Sequence, residues 1–454
     1  MDRLNGKRLL ILGLARQGKA LARFATAVGA DVTISDLRSA EILTNDLNEL
    51  ADLPIRFVLG EHPLSLLDET DILALSGGVP LEAPFVRAAV EAGIELTNDS
   101  LEFLRRSPTQ KHIGITGSAG KTTTTSLVGA MGRQSPQTTW VGGNIGHPLL
   151  ADLDEMSADD IVVQELSSFQ LEIWPQSPAI AAVLNITPNH LDRHKTMDVY
   201  TAAKAHIVTH QTADDIAVLS KDDAGSAGLA SACNGRVRWF SRLEEVNDGA
   251  FLRQNDLVLR DGNTETIVCQ IEDIQLRGTH NISNVLAASI MADSVGITTD
   301  VMKQAVRQFT GVPHRLEPVA TINGVHYIND SIATAPERAL AAIGAFSEPL
   351  VLLAGGRDKK MDWEQWTTTV TNQAKEIVLF GDLAPMLEDR LTQAGRRNGW
   401  VRAADLAEAV SIAHRKAVSG DIVLLSPGGT SFDAFKDFAE RGELFRQLVR
   451  QLDQ

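Results

Sequence analysis

At 454 residues the chain is too long for one ordinary domain, and its length sets an expectation of two to four. A hydrophobic fraction of 44% with 22% charged residues fits a globular protein, and no run of eighteen apolar residues offers a membrane span. The formal charge of −16 argues against nucleic-acid binding, which needs a basic face; an anionic substrate held by backbone N–H groups and a few Lys or Arg stays open.

The opening "MDRLNGKRLLILGL" runs directly into a strand without a small-residue cleavage site, so no secretory signal is expected. Cys233 and Cys269 fit neither a disulfide framework nor a zinc site, and buried thiols in a reducing cytoplasm are expected. An apolar run then meets a Gly-rich turn, a helical pattern (Ala20, Leu21, Phe24, Ala27, Val28) and a second strand, "DVTISD", which makes a βαβ unit. "IRFVLG", "DILALSGGV" and "IELTN" read as further strands, with the helix "PFVRAAVEAG" before the last. Such alternation predicts a parallel sheet with helices on both faces. The helix "SLEFLRR" and the polar link "SPTQK" close a first segment, 1–108.

The second segment, 109–311, opens with strand, loop and helix in "HIGITGSAGKTTTTSLVGAM". "DIVVQELSSFQL" and "PAIAAVLNIT" read as buried strands, "FLRQNDLVLRDGNTETIVCQ" as β-rich and "NISNVLAASIMADSVG" as a helix. Gly311 and Pro313 mark its end. The third segment, 312–454, repeats the α/β pattern in "VHYINDSIATAP", "PLVLLAGGRDK", "KEIVLFGDLA", "WVRAADL" and "DIVLLSPGGTSF". Three α/β domains leave clefts in which small molecules bind.

Two glycine loops compete for the chemistry. The first, Gly13 to Gly18 in "GLARQG", matches the dinucleotide fingerprint except that Ala15 stands at the middle glycine, and Asp36 ends the next strand where a ribose-binding acid would stand. A dehydrogenase and a plain βα turn are both open on this loop alone. In the second, Lys121 and Thr122 follow Gly120 between a strand and a helix, where Lys reaches phosphates and Thr a Mg²⁺ ion. The strict phosphate loop wants glycine at Ile115; the glycines stand at Gly114 and Gly117 instead.

The spacing G-x-T-G-x-x-G-K-T over Gly114–Thr122 resembles the ATP loop of the Mur ligase superfamily, three-domain ATP-dependent amide ligases. "GGNIG", "ELSSFQLE", "NITPNHLDRH", "AAKAHI", "THNISN", "PHRLE", "NDSIAT" and "SPGGTSFDAFKDFAERG" follow in the family's order and cover the chain end to end. "ELSSFQL" and the closing run are most similar to members that add glutamate, D-glutamate foremost, to UDP-N-acetylmuramoyl-L-alanine in peptidoglycan synthesis. The resemblance implies a Rossmann-like first domain, a central P-loop ATPase-type domain and a Rossmann-like third domain. It implies ATP phosphorylating a carboxylate and an amine attacking the acyl phosphate, by positioning and charge stabilisation. The nearest alternative is a sister ligase, of Mur or folylpolyglutamate type, with another amino acid or L-glutamate.

The implied roles follow position by position. Gly117, Ser118, Ala119, Gly120, Lys121, Thr122 and Thr123 hold the ATP phosphates. Thr122 and Glu165 hold a first Mg²⁺, and His190 a second. Lys204, an ordinary helix lysine on its own, matches a lysine carbamylated by CO₂ that joins the Mg²⁺ shell. His190 and His194 have i,i+4 spacing, but Pro188 precedes them and no third ligand is evident, so zinc is not expected. Asn144 and His190 face the UDP-sugar carboxylate. Asn281 and Asn284 lie near adenine or cap a helix, and Arg315 and Asp330 reach the nucleotide from the third domain. UDP sits on Arg16, Gln17, Gly18, Asp36, Arg38 and Ser76 to Gly78. Thr334, Lys359, Ser431, Phe432 and Phe438 form the glutamate pocket, the two phenylalanines being equally readable as core. Ile332 stands where some members carry Lys, which leaves amino-acid recognition, and D- against L-glutamate, open. A cytoplasmic monomer is expected.

Overall fold

Strand after strand in this chain is buried on both faces, as a sheet covered by helices requires. The computed structural model describes residues 1–359 and 361–452, and of Asp192 the backbone alone. The strands β1 (Arg8–Leu12), β2 (Asp31–Asp36), β3 (Arg56–Leu59), β4 (Ile72–Leu75) and β5 (Glu95–Thr97) form one sheet in the order β3-β2-β1-β4-β5, all parallel. The order reverses between β1 and β4, so the turns after these two strands line the crevice where such sheets bind ligands.

A second sheet runs β14-β13-β12-β11-β10-β9-β6-β8-β7. Its strands are β6 (His112–Thr116), β7 (Thr139–Gly143), β8 (Ile161–Glu165), β9 (Ile180–Val183), β10 (Ile216–Ser220), β11 (Arg236–Ser241), β12 (Gly249–Arg253), β13 (Asp256–Asp261) and β14 (Thr264–Gln270). It is parallel from β7 to β12 and antiparallel from β12 to β14. The β-rich reading of 251–270 therefore holds as an antiparallel edge. Helix Lys121–Arg133 and helix His280–Ser294 cover one face around Leu127, Val128, Met131, Val285, Leu286 and Ile290, all buried. Each such side chain removed from water contributes about 1.5–3 kcal/mol.

The chain folds into two compact units, Met1–Phe309 and Thr310–Gln454. The first two sheets share the first unit because one core runs through both: Leu9, Ile11, Leu21 and Ile34 pack in the same cluster as Leu149, Leu150 and Val162. The second unit holds β15 (Glu317–Ile322), β16 (Val325–Asn329), β17 (Leu350–Gly355), β18 (Ala374–Phe380), β19 (Trp400–Arg402) and β20 (Ile422–Gly428), ordered β15-β16-β20-β17-β18-β19. Only β15 is antiparallel, to β16. Among the described residues no helix is long and apolar enough to cross a membrane.

Candidate active site

The loop after β6 needs two glycines for its backbone. Gly117 has φ 158° and Gly120 φ 82°, and a Cβ on Gly120 would stand 2.5 Å from Asn284 Oδ1. Neighbouring strands clamp the rest of the loop. Ser118 N donates to the Asn185 carbonyl and Ala119 N to Asn185 Oδ1, at 2.9 and 2.8 Å. Ser118 Oγ bonds the Thr187 carbonyl and Tyr200 Oη, both at 2.9 Å. Helix Lys121–Arg133 starts directly behind, so its free N–H groups and its dipole face whatever the loop holds. Thr122 is buried in its first turn and Thr123 is partly exposed.

Lys121 Nζ donates to the Gly117 carbonyl at 2.9 Å, and Lys204 Nζ to the same oxygen at 3.0 Å. Lys204 lies in helix Met197–Thr209, is 1% exposed and also donates to Thr116 Oγ1 at 3.3 Å. Its ammonium stands 4.7 Å from the centre of the Tyr200 ring. Burial first, then the Lys121 charge, push the Lys204 amine down to about 7 against the pull of Glu165. An ordinary surface lysine does none of this.

Glu165 ends β8 in register with Ile115 of β6 and Gly143 of β7. Its Oε1 accepts from Asn144 Nδ2 at 2.9 Å, whereas Oε2 is buried with no hydrogen-bond partner among the described residues. A buried carboxylate oxygen left unpaired is costly, and a hard cation is the partner it suits. Exposed Asn144 also donates its N–H to the Glu165 carbonyl at 2.9 Å. The turn that carries Asn144 receives the first sheet: Arg16 Nη2 donates to the Asn144 carbonyl at 3.3 Å and Gln17 Nε2 to the Gly143 carbonyl at 3.4 Å.

His190 is exposed, at the start of the short helix Leu191–His194, with φ 54°. A non-glycine residue held there stores about 1–3 kcal/mol of strain, which marks functional segments more often than others. His194, buried, bonds Ser168 Oγ through Nε2 at 2.9 Å, and both it and His190 pack against the Phe169 ring, at 5.1 and 5.2 Å between centres. Among the described residues no three His, Cys, Asp or Glu side chains form a metal nest.

The first glycine loop uses its acid internally. Asp36 Oδ2 accepts from Leu14 N at 2.8 Å and Arg38 Nη2 at 2.7 Å, and Oδ1 from Arg38 N and Nε at 2.9 Å. Burial raises its pKa, but the bonds from Arg38 and Leu14 outweigh this and hold it at about 2. Both oxygens brace the loop from within. Ser76 Oγ donates to the Gly13 carbonyl at 3.2 Å, and Gln17, Gly18 and Ser76 line one small cleft with Asp99. Gly78 accepts from Arg193 Nη1 at 3.3 Å.

Asn281 and Asn284 correct one expectation. Neither caps helix His280–Ser294, whose capping position is Thr279. Asn281 donates to the Arg277 carbonyl at 2.6 Å and accepts from Asn284 at 2.9 Å. Asn284 Oδ1 in turn accepts from Thr124 at 3.3 Å and stands beside Gly120, which puts the pair at the phosphate loop.

In the second unit, Asp330 is buried, bonded by Leu316 N at 3.2 Å and Ser426 Oγ at 2.9 Å, with burial raising its pKa to about 6. Its neighbour Arg315 follows His314, whose φ is 63°. Thr334 N donates to the Ile332 carbonyl at 2.8 Å. The loops of Lys359 and Ser431 are joined by paired bonds between Arg357 and Thr430 at 2.8 and 2.9 Å. Lys359 is exposed and Ser431 buried. Phe432 is 61% exposed, so it is no core residue; Phe438 packs edge-on against His314 at 6.1 Å.

Three residues escaped the sequence reading. Asn185 and Tyr200 hold the phosphate loop from 66 and 82 residues away. Arg441 is wholly buried and bonds Ser331 Oγ, the Ser331 carbonyl and the Gly429 carbonyl at 3.0, 2.9 and 3.2 Å, tying "NDSIAT" to "SPGGTSF". The last two loop motifs were the available signal for it.

Comparison with known proteins agrees with this arrangement. The chain matches the Mur ligase MurD-like N-terminal domain over 7–98, the Mur ligase middle domain over 115–292, and the Mur ligase glutamate ligase domain over 314–429. It is 40% identical to the UDP-N-acetylmuramoylalanine–D-glutamate ligase of Pelotomaculum thermopropionicum, covering 98% of each chain. The enzymes of the same name from Symbiobacterium thermophilum (41%, 98% of each) and Clostridioides difficile (37%, 99% of each) are similar. Among solved structures, the UDP-N-acetylmuramate–alanine ligase MurC of Thermotoga maritima superposes with a TM-score of 0.55 at 18% identity, over 98% of this chain and 100% of that one. MurF of Acinetobacter baumannii gives 0.55 at 16%, over 97% and 93%. At such identities the superpositions show the fold alone.

Proposed function

The chain belongs to the Mur ligase family, and from that premise we propose that it joins D-glutamate to UDP-N-acetylmuramoyl-L-alanine in peptidoglycan synthesis. It is an ATP-dependent, amide-forming ligase. ATP activates the alanine carboxyl as an acyl phosphate, and the glutamate amine displaces phosphate to leave the amide and ADP.

The observation that carries this reading is a continuous chain of hydrogen bonds within the first unit. Arg16 and Gln17, of the nucleotide turn on the first sheet, donate to the turn 143–144, and Asn144 donates to Glu165 beside the phosphate loop. A sugar nucleotide held by Arg16, Gln17, Gly18, Asp36, Arg38, Ser76 and Gly78 is thereby coupled to the machinery that activates its far end. Asp36 supports that turn from within.

The segments 1–108, 109–311 and 312–454 then serve the UDP-sugar, ATP and glutamate respectively. Gly117 to Thr123 hold the phosphates with Lys121, and Asn281 and Asn284 support the loop on the adenine side. Arg315 and Asp330 keep a nucleotide role. Thr334, Lys359, Ser431, Phe432 and Phe438 receive glutamate, with Lys359 and the Ser431 hydroxyl suited to its carboxylates.

The residues fit Mg²⁺: Glu165 Oε2 is a buried carboxylate oxygen with no hydrogen-bond partner among the described residues, and Thr122 supplies a hydroxyl. One ion would be held by Thr122 and Glu165, and a second by His190 and a carbamate on Lys204. Bound Mg²⁺ neutralises phosphate charge so that a carboxylate can approach. Lys204 supports the carbamate because a lysine at about 7 is largely neutral at physiological pH, and the neutral amine is the form that attacks CO₂. The protein is taken to act as a cytoplasmic monomer.

The test is one assay with ATP, Mg²⁺ and UDP-N-acetylmuramoyl-L-alanine against D-glutamate, L-glutamate and a panel of other amino acids. Phosphate release dependent on D-glutamate is expected. Release indifferent to the amino acid refutes ligation, and release with L-glutamate alone refutes the stereochemistry, for which Ile332 is the residue to examine.

A further inference from the structure

The helix Leu191–His194 has four residues, too few to be stable by itself. Its flanks are strained as well: His190 before it and Lys195 after it have φ 54° and 66°, which non-glycine residues keep only where their surroundings fix them. One side chain of the helix enters the core. His194 is 2% exposed, shares a 2.9 Å hydrogen bond with buried Ser168 Oγ, and has Nδ1 3.1 Å from Glu172 Oε1, close enough for electrostatic contact though not aligned for a hydrogen bond. Its ring lies flat on Phe169, 5.1 Å between centres and 1° between planes.

That same Phe169 ring meets His190 edge-on at 5.2 Å and carries the Arg193 guanidinium at 4.7 Å. Ser168, Phe169 and Glu172 all follow closely on Glu165, at the end of β8. The segment that supplies the metal-facing carboxylate therefore also fixes the ring against which His190 rests. A histidine that merely filled this core would need no polar tie, and phenylalanine would fill it at less desolvation cost.

We propose that His194, anchored by its hydrogen bond to Ser168, is a positioning residue that holds His190 in its ligating orientation. The proposal rests on the reading of His190 as a metal ligand. Orienting groups behind a ligand commonly set metal affinity as strongly as some ligands do.

The probe is Mn²⁺, titrated into the full chain with ADP and UDP-N-acetylmuramoyl-L-alanine but no glutamate, and followed by electron paramagnetic resonance, so that nothing turns over. His194→Phe keeps the stacking and removes the hydrogen bond; Ser168→Ala removes the same bond from its other side with little change of volume. Both are expected to weaken Mn²⁺ about 10-fold or more, with metal-free ADP binding and the circular dichroism spectrum unchanged. His190→Ala is the reference and is expected to weaken it at least as much. Wild-type Mn²⁺ affinity in both variants while His190→Ala loses it overturns this proposal alone. Wild-type affinity in His190→Ala overturns the metal reading of His190 and this proposal with it.

Discussion

Lys121 Nζ and Lys204 Nζ converge on one acceptor, the carbonyl oxygen of Gly117, at 2.9 and 3.0 Å. Two ammonium groups sharing an oxygen repel each other, and the buried one yields: Lys204 falls to about 7 through burial and then the Lys121 charge. Its neutral fraction grows as pH rises through that value. With ¹³C-bicarbonate, a carbamate resonance is expected in the wild type, rising in amplitude from pH 6 to 8.5 and absent in Lys204→Arg. Carbon-13 NMR checks this, and a resonance that survives the substitution refutes the assignment.

The same depressed lysine costs stability in the metal-free protein. Its folded pKa lies at about 7 against an ordinary 10.5, so between these values the unfolded chain binds a proton that the folded chain does not. Stability from this group therefore rises with pH across that window, and below it the full penalty applies. Lys204→Met is expected to be inactive yet more stable than the wild type by about 4 kcal/mol at pH 7. The gap should close towards pH 10. Urea unfolding at pH 7 and pH 9.5 measures both, and a gap independent of pH refutes the account.

Which parts of this are legible in the sequence follows from which contacts are local. The glycines at 117 and 120 stand out because backbone geometry alone requires them, with φ of 158° and 82°. The strands β1, β6, β8, β17 and β20 are visible as apolar runs because both their faces are covered. The half-buried β15 offers no such run and goes unread as a strand. Asn281 and Asn284 look like caps because both lie near the start of a helical pattern, while the bond from Thr124 to Asn284 spans 160 residues and depends on tertiary placement. Glu165 and Lys204 are found by motif, but their chemistry is not: an unpaired buried oxygen and a displaced amine exist only once distant strands have packed. Arg441, preceded in its helix by Glu440 and followed two residues on by Glu443, reads as a solvated charge until its loops close over it.

Phe432 separates binding from stability. Its side chain is 61% exposed and supports no core, so truncation to alanine should alter stability by less than about 0.5 kcal/mol. In its proposed role as a wall of the glutamate pocket it should still matter to the amino acid. Phe432→Ala is expected to raise the KM for glutamate about 10-fold, the loss of roughly 1.4 kcal/mol of apolar contact, with the KM for ATP unchanged. Steady-state kinetics with each substrate varied, beside a melting curve, decides it; a large drop in Tm would return Phe432 to the core.

Arg441 makes the opposite case. Its guanidinium is wholly buried, and burial lowers its pKa to about 10 without discharging it at neutral pH. It is held by Ser331 Oγ at 3.0 Å and by the carbonyls of Ser331 and Gly429 at 2.9 and 3.2 Å. Lysine retains the charge but not the planar fork, so it can serve only part of this set and leaves a buried carbonyl unpaired. Arg441→Lys is expected to destabilise the second unit by about 2–4 kcal/mol and to raise the KM for glutamate, because "NDSIAT" and "SPGGTSF" lose their common tie. Calorimetry should show the loss in the transition of residues 310–454, with that of 1–309 unmoved. A variant with wild-type melting and wild-type glutamate kinetics would mean that the two loops are held together without it.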